Sequence, residues 1–183
     1  ERSIEALVNR HETLRTSFVD AQGIPKQQVH PEVTANLTFV DLSEQSPSQQ
    51  QDSVGQFTDS ESNTSFDLLD DSLFRVRVVK LDQQTHVLFL VIHHIVGDGA
   101  SIRVLIRELD VLYQAFSQDK PAPLPPLAVQ YADYAIWQRQ WLHGEVLEGQ
   151  LAYWRKALDG IQNLELPTDH PRPQVPSYDG GRA

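Results

Sequence analysis

An α/β fold is predicted for this chain of 183 residues. Three observations carry the prediction. Short β-rich runs are bounded by turn residues, several stretches repeat their apolar side chains at helical spacing, and a strand passes into a helix through the glycine-bearing stretch VIHHIVGDGAS, Val91 to Ser101.

The elements follow in order. Ile4, Leu7 and Val8 share one face of an opening helix. Thr16 to Val19 and Lys26 to His30 form a hairpin around Asp20-Ala21-Gln22-Gly23, with Gly23 as its turn residue, and Leu37 to Val40 is a further short strand. Between Ser43 and Thr64 only Val54 and Phe57 are apolar anchors, so a weakly amphipathic surface helix from near Pro47, or a loop, is expected. Phe74 to Leu81 alternates apolar with basic residues, as a half-exposed strand does, and Asp82 to Thr85 turns the chain. The run His86 to Ile95 is apolar at nearly every position, which predicts a strand covered on both faces at the centre of the sheet.

Ile102, Leu105, Ile106, Leu109, Leu112, Tyr113 and Phe116 then keep one helical face, with Asp98 or Ser101 available as the cap. PAPLPP, Pro121 to Pro126, ends that helix as a stiff spacer. Two more helices are expected, Val129 to Leu142 and Val146 to Leu158, interrupted at Gly144. Their Tyr131, Tyr134, Trp137, Trp141, Tyr153 and Trp154 are expected to pack in the core or at a lobe interface. Residues Leu166 to Ala183, rich in proline and glycine, are too irregular for a core element.

Composition narrows the function. The net charge is −10, and no basic run could track a phosphate backbone, which argues against nucleic acid. No apolar run approaches a membrane span. The chain has no cysteine, which excludes thiolate nucleophiles and suits a cytoplasmic location. Lacking methionine too, and opening inside a helical pattern, it reads as part of a longer protein. Neither G-x-S-x-G, a phosphate-binding glycine loop ending in Lys-Ser or Lys-Thr, nor G-x-G-x-x-G occurs.

His93 and His94 are the chemical candidates. Successive side chains on extended backbone point to opposite faces, so one imidazole should be structural and the other free to meet a cleft. At the end of a strand an imidazole is held rigidly and can take a proton near neutral pH. Asp98, in a turn made supple by Gly97 and Gly99, can fold back and fix the loop, for instance by pairing with an arginine. A metal site built from His93, His94 and Asp98 is disfavoured, because adjacent histidines diverge.

HHIVGDG matches the HHxxxDG motif of condensation domains in nonribosomal peptide synthetases, and three other segments resemble that family's motifs in order: RHETLRTSF (Arg10 to Phe18), YADYAIWQRQWL (Tyr131 to Leu142), and AYWRKALDG with LELPTDHPRP. The resemblance implies the N-terminal lobe, residues 1–165, of a two-lobed chloramphenicol-acetyltransferase-like α/β sandwich. Residues 166–183 would begin the crossover to a C-terminal lobe. It implies that His94 is catalytic and His93 largely structural, and that Asp98 pairs with Arg15, the preferred partner, or Arg10. Gly99 would let backbone approach substrate. It further implies amide formation between substrates carried on the phosphopantetheine arms of donor and acceptor carrier domains, with no cofactor bound directly and an adenylation domain alongside. Ala100 stands where many such domains have tryptophan, which leaves the subtype open, an epimerisation domain and an ester-forming acyltransferase included. The lobe alone, its site lacking a wall, is expected to be inactive.

Overall fold

The structure, a computed structural model, describes residues 1–31, 35–69, 72–162 and 164–175. The chain divides into two compact units, Glu1–Gln138 and Arg139–Ala183.

The first unit opens with α1 (Arg2–Arg10), a 3-10 turn (Glu12–Arg15), and the antiparallel hairpin β1 (Thr16–Ala21) and β2 (Ile24–Val29). Gln22 and Gly23 both have positive φ, 61° and 80°, the backbone that a two-residue hairpin turn with right-handed strand twist demands. A second sheet has the order β3 (Asn36–Asp41), β4 (Phe74–Lys80), β5 (His86–Ile92), with β3 parallel and β5 antiparallel to β4. Between β3 and β4 lies α2 (Pro47–Asn63), opened by a reciprocal capping box between Ser46 and Gln49. The α3 helix (Gly99–Phe116) follows β5.

One face of this sheet packs on α1 and α3. Ile4, Leu7 and Val8 of α1, Leu14, Phe74 and Val76 of β4, and Leu105 and Leu112 of α3 form one buried cluster. Each such side chain contributes about 1.5–3 kcal/mol of transfer free energy. On the opposite face, Arg77 ion-pairs with Glu61 of α2 at 2.8 Å and its guanidinium lies over Phe57, while that of Arg75 lies over Phe66. These partners let a central strand carry two arginines.

Two expectations are therefore corrected. The β5 strand, apolar after His86, is an edge strand, and the alternating β4 is central. Nor is β5 covered on both faces: no residue of β5 is buried and Leu88 is 45% exposed, because an edge strand is only partly overlaid by the helices on either side. The buried stripe of α3 is also rotated from the expected face: it runs Leu105, Glu108, Leu112, Ala115, and leaves Ile106 and Tyr113 exposed.

From the end of α3, residues 121–130 run without helix or strand to α4 (Tyr131–Trp141), inside which the two units divide. Tyr131, Tyr134 and Trp137 are stepped along α4 with ring centroids 5.8 and 5.7 Å apart, each at least 42% exposed, so this aromatic row is not core. In the second unit α5 (Gly144–Ala157) buries no residue, and Tyr153 and Trp154 are exposed. Gly144 opens that helix at φ 53°, and residues 164–175 carry no helix or strand. The last part of the irregular tail, 176–183, lies outside the described residues.

Candidate active site

The peptide after β5 is built by local bonds. The His93 N–H donates to the Leu73 carbonyl at 3.0 Å, its carbonyl accepts from Val96 N–H at 3.0 Å, and its Nδ1 accepts from Ile95 N–H at 3.1 Å. The ring stands edge-on to Phe66 with centroids 5.8 Å apart. His93 is thus a half-buried bracket for the turn. His94, one residue on, is exposed and lines a cleft of about 320 Å³. Buried Val96 plugs the loop into the core beneath it.

Asp98 closes the loop as the N-cap of α3. Its Oδ1 accepts from Ser101 N–H and Ser101 Oγ, each at 2.8 Å, while Ser101 Oγ accepts from Asp98 N–H at 3.1 Å. The Ser101 backbone N–H, then its hydroxyl, hold the Asp98 carboxyl below the usual carboxylate range. A Cβ at Gly97 would lie 2.5 Å from Ile92 Cδ1, the far end of a side chain that would have to move aside. A Cβ at Gly99 would meet no atom within 4 Å, so that face of the backbone is open.

The arginines stand elsewhere. Arg15 donates to the His30 carbonyl and ion-pairs with Glu12 at 3.6 Å, and Arg10 Nε donates to Glu108 Oε2 at 3.0 Å. The expected Asp98 pairing with Arg15 or Arg10 is corrected: among the described residues Asp98 is satisfied by the helix start, and an exposed acid at a helix N-terminus needs no cation.

Sequence reasoning missed three residues around this cleft. His11 lines it together with His94, and its Nε2 lies 2.6 Å from Glu108 Oε2, the oxygen that Arg10 also reaches. Glu108 is 7% exposed. Burial alone would raise its pKa, but the hydrogen bonds from His11 and Arg10 outweigh that and hold it below the usual range. Gln130 Nε2 donates to the Arg10 carbonyl at 2.9 Å, and Gln130 Oε1 accepts from Glu12 N–H at 3.2 Å. Gln130 thereby fastens the wall formed by Leu127, Val129 and Tyr131 to the turn after α1. The signal for His11 was its place between Arg10 and Glu12 in RHETLRTSF. For Glu108 it was the spacing 105, 108, 112.

The site is an exposed imidazole presented to a cleft by a loop that local hydrogen bonds hold, on a mixed α/β framework. A family model for the condensation domain matches residues 1–183. A linear gramicidin synthase of Brevibacillus parabrevis is 42% identical over 181 residues, covering 98% of this chain and 2% of that protein. Malpinin synthetase of Mortierella alpina is 42% identical across 100% of this chain, again 2% of its own length. Among solved structures, the X-domain from teicoplanin biosynthesis aligns with a TM-score of 0.80 at 31% identity, over 96% of this chain and 39% of that one. The epimerization domain from the third module of tyrocidine synthetase B aligns at 0.77 with 23% identity, over 93% and 39%, a likeness of fold alone. The chain belongs to the condensation-domain family of nonribosomal peptide synthetases. It spans a small fraction of the synthetases it resembles.

Proposed function

We propose that the domain this chain belongs to joins a carrier-bound acyl or peptidyl thioester to the amine of a carrier-bound aminoacyl group, forming an amide. The observation that carries this reading is His94, exposed in the cleft on a loop pinned by His93, Val96 and the Asp98 cap. An amine attacking a thioester needs no protein nucleophile, in keeping with a chain without cysteine or a serine elbow. The amine must instead be neutral and placed. An α-amine has a pKa of about 8, so near pH 7 only a minor part is neutral. His94 takes the proton as nitrogen bonds to carbon, or holds that nitrogen on the thioester carbon. The substrates ride phosphopantetheine arms of donor and acceptor carrier domains, supplied with an adenylation domain alongside, in the cytoplasm, and a C-terminal lobe completes the cleft. By itself this lobe is inactive.

The test is a single-turnover assay of the full parent domain with both carriers loaded, comparing wild type with His94→Ala while circular dichroism checks folding. Amide product should fall about a hundredfold to ten-thousandfold, the range of general acid–base catalysis. Undiminished product from a folded variant removes His94 from the chemistry. Epimerised donor in place of amide would instead assign the domain to that branch of the family.

A further inference from the structure

Making an amide from an ammonium group takes two protons off one nitrogen, the first before it can attack and the second from the tetrahedral adduct. The cleft holds two imidazoles, and they are built differently. His94 makes no hydrogen bond among the described residues, whereas His11 is seated on a buried carboxylate. With Glu108 ionised, His11 Nε2 carries the hydrogen that Glu108 accepts, and Nδ1 is left as the basic nitrogen with no protein partner among the described residues. His11 also borders a mostly apolar recess of about 160 Å³ beside the cleft, lined by Leu14, Val96 and Leu105 together with Thr13 and Ser101.

We propose that His11, oriented by Glu108, is the second proton acceptor of this cleft and removes the first proton from the acceptor ammonium. The assignment rests on the amide-forming reading above. The ammonium gives one proton to His11 Nδ1 and keeps the electron pair of that N–H bond, and the imidazolium passes the proton on to water. The neutral amine then attacks the thioester carbon. Its second proton leaves by way of His94 and reaches the sulfur as the carbon–sulfur bond breaks, so that amide and thiol result. The charged groups that face His11 are Glu108 of α3 and Arg10 of α1, which shares that carboxylate. Glu12, already paired with Arg15, follows it in the chain, and His94, Asp98 and Tyr131 share the cleft.

His11→Gln separates this role from a structural one, because a glutamine amide N–H can still donate to Glu108 but carries no basic nitrogen. In the full parent domain with both carriers loaded, single-turnover rates are compared from pH 6 to pH 9. His11→Gln should lose roughly ten- to a hundredfold near pH 6.5. It should recover to within about threefold near pH 9, where an amine of pKa about 8 is already neutral. A loss of equal size at every pH, or no loss, overturns the proposal. Should His11→Gln melt below the assay temperature, the same series with His11→Asn decides it. A wild type that makes no amide from any pairing of carriers overturns the underlying reading instead.

Discussion

Asp98 and Glu108 are two acids of one helix. Asp98 sits at its exposed head, where the unpaired N–H groups of the first turn are themselves the partner, and its charge is held by Ser101. Glu108 sits in the buried stripe inside the helix, where the backbone N–H groups are already engaged, and its charge is held by Arg10 and His11 from another helix and the turn that follows it. Sequence reasoning assigned an arginine to the first acid, but the structure gives it to the second. What decides is burial: an exposed carboxylate is content with local amides, whereas a buried one needs compensating charge.

The contrast can be broken most forcefully at Glu108. Glu108→Ala leaves Arg10 and His11 facing an empty site in the core, and should destabilise the parent domain by about 3–5 kcal/mol, read from the urea midpoint. A loss below about 1 kcal/mol would mean that Arg10 swings out to water and that the cluster is not a buried pair.

Acid sharpens the comparison next. Both carboxyls titrate below their unfolded values, so folding favours their charged forms. That stability is complete above about pH 5 and drains away as the pH falls through about 4 and below. Urea midpoints at pH 7 and pH 3 should differ in the wild type, and the difference should shrink in Glu108→Gln. An unchanged difference would place the acid sensitivity elsewhere.

The smallest effect belongs to the cap. Asp98→Ala should lower the melting temperature by a few degrees, and Asp98→Asn, which still accepts from Ser101 N–H, by less. Equal and large losses in both would show that the charge of Asp98, rather than its acceptor oxygen, holds the loop.

Much of the fold was legible because its signals are local. The hairpin turn at Gln22-Gly23, the helix starting at Pro47 behind Ser46, and the Asp98 cap all follow from residues within a few positions of one another. The different surroundings of His93 and His94 have another cause than the strand alternation expected, since both lie past the end of β5 and the turn that begins there sets them apart. The place of β5 at the sheet edge, and its partial exposure, were not legible, since an apolar run does not record which strands pair beside it or how far the helices from elsewhere in the chain overlay it. Nor was the exposure of the aromatic row on α4, whose spacing would suit a buried face equally well.

By itself, then, the sequence determined the order and kind of the elements, the family, and the pair of histidines worth testing, because each is written in short-range pattern. Only the tertiary structure decided which acid receives an arginine and which imidazole receives a carboxylate. Arg10 and His11 stand about a hundred positions from Glu108, and their meeting depends on how α1 and α3 pack against one sheet face. No local spacing encodes that packing, because it is set by the mutual burial of side chains such as Leu7, Phe74 and Leu112.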